Sequence, residues 1–226
     1  MSSSIKVARY HLVYPFLLVL APWAVLALVF VINLIPTVIQ GGPNPTKALA
    51  SIFAFMAFAG VLTIIRSLPF ALALGASRRS FYLGTVTLVV ALAVVYGLAI
   101  AGLQALERAT GGWGVSMYFF QPQYILTGAW YLTWLTSFVC LVLLFLYGTW
   151  FGLVQQRWDT IGLIVFVFGQ VVVALVAIFI IGGNHDWHGV GHFFTTITAA
   201  GLTGLLAAFA AALCAGGFAL IRGVTV

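Results

Sequence analysis

Charged residues are scarce in this chain, at 5% of 226 residues, where soluble domains carry roughly a quarter. Its long apolar stretches hold no Asp, Glu, Lys, Arg or His near their middles. Proton- and cation-coupled carriers depend on a titratable group at membrane depth, and membrane enzymes depend on a catalytic pair or a metal cluster there. The absence of such groups argues against a self-powered carrier and against an enzyme.

A phosphate-binding loop of the Gly-x-x-x-x-Gly-Lys-Ser/Thr type is also missing. The lysines are Lys6 and Lys47, and neither follows a suitable strand and glycine loop. The chain is therefore not expected to hydrolyse ATP by itself. Any uphill movement of a substrate would take its energy from a partner.

The residues that are present predict an all-α integral membrane protein with one domain over residues 1–226. Hydrophobic residues make up 64% of the sequence, and their runs are long enough for helical spans of about 20 residues. A short basic amphipathic lead (residues 1–15) precedes the first span. Six spans are predicted, at residues 16–35, 48–65, 81–103, 127–150, 161–181 and 193–221.

The basic residues between these spans predict the orientation. With the N-terminus inside, seven basic residues are cytoplasmic, namely Lys6, Arg9, Arg66, Arg78, Arg79, Arg157 and Arg222. Lys47 and Arg108 lie outside. Because Lys and Arg collect on the cytoplasmic side, both termini are expected there, in a multi-pass protein of the cell membrane. The same rule explains the net charge of +6 without nucleic acid as a partner.

Small residues recur at every fourth position in the last span, at Ala200, Gly204, Ala208, Ala212 and Gly216. Gly148 and Gly152 form a shorter pair of the same kind. Such spacing favours close approach of another helix, either within the chain or in a second copy, and packing within the chain is the commoner outcome.

The inner loop between spans two and three carries the strongest local pattern. Ser67 is a candidate cap and Pro69 suits a first helical turn, while Gly75 can end a short helix in a left-handed conformation. Ser77 is placed to cap the third span. The sequence thus predicts a short apolar helix at the cytoplasmic face, which would either rest on lipid or dock on a soluble partner.

This loop, LPFALALGASRRSFYLG, together with the six spans and the amphipathic lead, resembles the permease subunits of type-2 ATP-binding-cassette (ABC) exporters. The resemblance covers the layout of the chain and about fifteen residues of motif. In that family the loop is the coupling helix that docks on the ATPase. The resemblance assigns docking to Phe70, Leu72, Leu74, Gly75, Arg78 and Arg79.

The resemblance also implies partners and a setting. It implies a separate cytoplasmic ABC ATPase subunit that binds ATP and Mg, a second permease copy (identical or different), and a bacterial cell membrane. The expected function is export of a hydrophobic or amphipathic substrate such as a lipid, drug or peptide. The chain itself would bind no cofactor.

The outer loop before span six holds His185, Asp186, His188 and His192. On a helix the three histidines would share a face and could bind zinc or copper. Gly182, Gly183, Gly189 and Gly191 argue against a helix there. A polar outer turn, a pH-sensitive outer gate and a metal site are the three interpretations, and no metal is assigned.

Asn33 and Gln170 are lone amide residues expected within or near the membrane core. Such amides usually bond to a neighbouring helix. In the resembling family, spans one, two and five border the central cavity, so the two amides are candidates for the substrate path.

Two functions of other classes stay open. One is a membrane redox protein that binds metal or haem through His185, His188 and His192. The other is a non-transporting immunity or sensor subunit, which would use the same inner loop without cargo-stimulated ATP turnover.

Overall fold

The computed structural model describes residues 16–40, 44–45, 49–120, 129–183 and 187–223. Within these ranges the protein is almost wholly α-helical, and five helical segments are long and apolar enough to cross a membrane. An all-α membrane-type chain is thus confirmed. The described helices are α1 (Ala21–Gln40), α2 (Ala50–Leu62), α3 (Leu68–Ala73), α4 (Arg78–Ala109), α5 (Trp130–Gly183), α6 (Trp187–Thr196) and α7 (Ala199–Ile221).

Short irregular elements connect these helices. A π-helical segment, Phe16–Leu20, leads into α1, and a second one, Thr63–Ser67, joins α2 to α3. A third segment, Gly112–Ser116, follows α4 and leads to strand β2 (Met117–Tyr118), which pairs in parallel with β1 (Asn44–Pro45).

The longest helix, α5, folds back on itself at Asp159. The backbone there has φ 58° and ψ −162°, which is not helical. Trp150 stacks on Phe166 with ring centroids 6.5 Å apart, and the Tyr147 hydroxyl donates to Gln170 Oε1 at 2.5 Å. In each pair, the two residues are separated from Asp159 by nearly the same number of positions in the sequence. The two halves of α5 therefore run antiparallel.

Several predicted boundaries differ from the observed ones. The third predicted span stops at Leu103, whereas α4 continues to Ala109 because its last turns are packed against the following segment. The continuous span predicted at residues 193–221 is wrong. Its first part belongs to α6, and Thr198 starts a new helix by accepting a bond from Gly201 N at 3.1 Å.

Glycines hold α2 close to the first half of α5. A side chain at Gly148 would overlap the carbonyl oxygen of Ala57, and one at Gly60 would overlap that of Phe145. A Cβ at Gly152 would lie 2.6 Å from that of Ile64. The Gly148/Gly152 pair therefore packs within the chain, as the sequence indicated.

The stripe of small residues on α7 behaves differently. Ala200, Gly204, Ala208 and Ala212 are exposed, and no atom lies within 4 Å of a Cβ built at Gly204. At the other end of the stripe, Gly216 faces Trp150. In the described chain most of this stripe does not pack internally, contrary to the usual outcome.

Contacts define two ends of the bundle. At one end Arg78 Nη1 donates to the carbonyl of Arg222 at 3.1 Å, and Gln156 Nε2 donates to that of Ile65 at 3.4 Å. This basic end carries five of the six arginines in the described ranges: Arg66, Arg78, Arg79, Arg157 and Arg222. The opposite end carries the β1–β2 pair and the sixth, Arg108.

Candidate docking loop and buried polar sites

The loop at the basic end is built as a capped helix. After α3, Gly75 has φ +80° and donates to Leu72 O at 2.9 Å, while Ala76 N donates to Ala71 O at 3.0 Å. This pair of bonds is the Schellman C-cap, and it confirms the left-handed glycine predicted from sequence. Pro69 lies in the first turn of α3, as predicted.

The two serines have different roles. Ser77 accepts a bond from Ser80 N at 3.2 Å and caps α4, as predicted. Ser67 makes no side-chain cap bond, because the helical backbone runs through it from the π-helical segment into α3. The expected cap at Ser67 is therefore wrong.

The short helix buries one face and exposes the other. Leu68 and Ala71 are buried against a cluster that includes Phe81. Phe70 is 49% exposed and Leu74 is 67% exposed. The loop therefore presents two large apolar side chains on a base that is fixed to the bundle.

The six residues assigned to docking divide into two groups. Phe70, Leu74, Gly75 and Arg79 are exposed. Leu72 packs partly against the cluster beneath α3, and Arg78 is half-buried and bonded to Arg222. The geometry thus places the accessible apolar surface on Phe70 and Leu74 rather than on Leu72.

The two amides proposed for a substrate path bond locally. Asn33 Nδ2 donates to Val29 O at 2.8 Å, one turn back in α1. Pro36, which has no backbone N–H to donate, lies one turn further on in the same helix. Gln170 accepts from Tyr147 within the α5 hairpin. Both side chains therefore have protein partners for a hydrogen bond, and their place in a substrate path stays a prediction.

The histidine loop is covered only in part. His185 and Asp186 lie outside the described residues, and so does the side chain of His188. His192 is exposed on α6, a helix that contains Gly189 and Gly191, so the expectation that glycines prevent a helix is wrong. Among the described residues, no group of three His, Cys, Asp or Glu side chains could hold a metal.

A buried carboxylate at the opposite end was not anticipated from the sequence. Glu107, in the last turn of α4, is fully buried. Its Oε2 accepts bonds from Trp113 Nε1 at 2.8 Å, from Phe119 N at 2.8 Å and from Phe120 N at 3.0 Å. Several N–H donors are what a buried carboxylate needs to offset the loss of water.

A second polar pair supports the same segment. Gln104 Nε2 donates to the carbonyl of Phe120 at 2.9 Å, and Gln104 Oε1 accepts from Thr133 Oγ1 at 2.8 Å. Glu107 and Gln104 lie one turn apart on α4, so one helix face fixes both backbone groups of Phe120. These bonds fix residues 112–120, called here the post-α4 segment, against one face of α4.

No family model, curated protein or solved structure matches this chain.

Proposed function

We propose that this chain is the permease subunit of an ABC exporter whose ATPase is a separate cytoplasmic subunit. The observation that carries the proposal is the α3 loop. Its buried face fixes it to the bundle, and Phe70 and Leu74 project from the basic end. An exposed apolar pair on a short, anchored helix suits insertion into a groove of a soluble partner.

The arrangement of helices supports six spans with both termini inside. The two antiparallel halves of α5 count as separate spans, which adds one to the five segments. The arginine-rich end then faces the cytoplasm. On this proposal α3 and the Asp159 turn lie on the same side of the membrane as ATP.

The proposed mechanism is alternating access. ATP and Mg bind to the ATPase subunits, which close together and move the docked α3 loops. Two permease copies then change their packing around a hydrophobic or amphipathic cargo. The permease supplies differential binding of cargo between the two states, without bond chemistry of its own.

Capture of the ATPase from the native host tests the docking proposal. The tagged wild-type chain, purified in mild detergent, should bring with it a subunit that is labelled by a photoreactive ATP analogue. The double variant Phe70→Asp/Leu74→Asp should capture at most about one tenth of the subunit that the wild type captures. A loss of this size is expected when the central apolar anchors of an interface are removed.

Trp158 provides the matched control. It is a large apolar residue, 50% exposed, beside the Asp159 turn at the same end of the bundle. Trp158→Asp also replaces a large exposed apolar side chain by a carboxylate, but outside α3, and this variant should still capture the ATPase. Undiminished capture by the Phe70/Leu74 variant would remove the docking assignment. ATP turnover that no hydrophobic cargo stimulates would favour a sensor subunit instead.

A further inference from the structure

We infer that a pocket between α1, α4 and the post-α4 segment (residues 112–120) binds one hydrocarbon chain of a membrane lipid. The pocket has a volume of about 220 Å³. It is lined by Trp23, Leu26, Ala27 and Phe30 of α1, by Leu103 of α4, and by Trp113 and Phe120. This inference does not depend on the ATPase, because it concerns the isolated chain.

The wall from α1 is a single helix face. Its four residues follow the spacing i, i+3, i+4 and i+7, which places them in one stripe along the pocket. Ala27 is exposed, and the neighbouring apolar residues Ala24 and Leu28 are exposed as well. The pocket therefore opens on an apolar helix surface, where lipid chains are the surrounding medium.

Two residues of the aromatic wall, Trp113 and Phe120, have polar groups that are already hydrogen-bonded to α4. The Trp113 indole N–H and the Phe120 backbone N–H donate to Glu107, and the Phe120 carbonyl accepts from Gln104. The Trp23 ring lies edge-to-face against Tyr96, with centroids 5.3 Å apart. The surface of the pocket is therefore almost entirely carbon, and it gives a water molecule little to hydrogen-bond to.

The size of the pocket favours an organic occupant. Apolar cavities of about 150 Å³ stay dry and bind small hydrocarbons such as benzene. This pocket is larger, at about 220 Å³, and it is open at one side, so a flexible chain can enter without displacing protein.

The walls are also fixed in place before any ligand arrives. Phe30 lies edge-to-face with Trp113, with centroids 5.2 Å apart, and Trp113 lies 6.1 Å from Phe120. Glu107 accepts hydrogen bonds from the Trp113 ring N–H and from the Phe120 backbone N–H. It is therefore a positioning residue for the pocket and does not touch the proposed occupant.

Photolabelling in nanodiscs tests the inference. The probe is a phosphatidylcholine that carries a diazirine midway along one acyl chain, in discs of ordinary phosphatidylcholine. Phe120 is only 3% exposed, so a chain that labels it must lie inside the pocket. Adducts on Phe120 and Trp113, located by peptide mass spectrometry, are the expected result.

Two variants on the same helix make the test specific. Ala27→Phe fills the pocket and should abolish the Phe120 adduct, whereas Ala24→Phe on the exposed face should leave it unchanged. Labelling of Phe179, which is 80% exposed, reports ordinary surrounding lipid and should be equal in both. If Ala27→Phe does not fold, Leu103→Phe fills the pocket from α4 and should cause the same loss.

Three outcomes would overturn the inference. The first is label on Phe179 with none on Phe120, which means that lipid does not enter and that another part of the protein covers the pocket. The second is a Phe120 adduct that survives both filling variants. The third is a Phe120 adduct that forms with a free diazirine fatty acid but not with the diazirine phosphatidylcholine. That result would assign the pocket to a dispersed apolar molecule and not to a membrane lipid.

Discussion

At the scale of single residues, the Glu107 carboxylate is the most constrained group described. It is buried at the end of α4, and Trp113, Phe119 and Phe120 direct their N–H groups at it. The Phe119 and Phe120 N–H groups are buried and the Trp113 contact is partly buried, so removing the common acceptor leaves buried donors unpaired. The carboxylate therefore stabilises the post-α4 segment.

We predict that Glu107→Ala lowers the free energy of unfolding by about 3 kcal/mol or more, because each orphaned buried donor costs about 1–3 kcal/mol. Cys140 and Cys214 are free and partly buried, so thiol labelling during heating reports unfolding. Thr87→Ala, which removes an exposed hydroxyl bonded within its own helix, is the control. An unchanged melting temperature in Glu107→Ala would contradict this account of the carboxylate.

Gly75 and Gly102 should respond oppositely to alanine. Gly75 has φ +80°, where a Cβ costs about 1–2 kcal/mol, so Gly75→Ala should destabilise. Gly102 lies within α4 with open space around it, and Gly102→Ala should stabilise by about 0.5–1 kcal/mol. Thermal unfolding of the two variants checks this. Stabilisation by Gly75→Ala would mean that the Gly75 backbone is not left-handed, and destabilisation by Gly102→Ala would mean that its surroundings are not open.

At the scale of elements, the α2–α5 contact holds the bundle together, and it depends on residues without side chains. We predict that Gly148→Ala lowers stability by about 1–3 kcal/mol or more, because its Cβ overlaps the Ala57 carbonyl and the helices must separate. Gly169→Ala, on the same helix with nothing within 4 Å, should not destabilise. Equal melting temperatures for the two variants would show that the helices are not in close contact.

The elements also show what the sequence can and cannot predict. Long apolar runs predicted the helices, and residue types with fixed backbone preferences predicted the turn at Gly75 and the cap at Ser77. The break at Thr198 was missed because Thr is also common inside membrane helices, so Thr195, Thr196 and Thr198 do not by themselves indicate a helix end. The Glu107 network was missed because two of its donors are backbone N–H groups, which any residue type supplies.

The candidate docking site was predicted less completely than the helices. The sequence identified the apolar loop but could not assign its faces, because a six-residue helix is too short for periodicity to show which side is buried. The structure places Leu72 partly inward and Leu74 outward. That difference decides which variants test docking.

At the scale of the whole molecule, the two ends of the bundle differ in composition, with arginines concentrated at one end and aromatic residues at the other. Leu74 lies at the basic end and Ala109 at the opposite end, and both are exposed. In a background with Cys140→Ala and Cys214→Ala, a cysteine at Ala109 should react with a membrane-impermeant maleimide on intact cells. A cysteine at Leu74 should react only after lysis. The reverse pattern would invert the orientation and place α3 away from ATP.

The most direct test of the central claim is site-specific crosslinking in the native host. A photoreactive benzoyl-phenylalanine at Leu74 is illuminated in living cells, with the same residue at Trp158 as the comparison. The account predicts an adduct from Leu74 to an ATP-binding subunit, with little or none from Trp158. Absence of that adduct at Leu74, or an adduct to a protein that does not bind ATP, would contradict it.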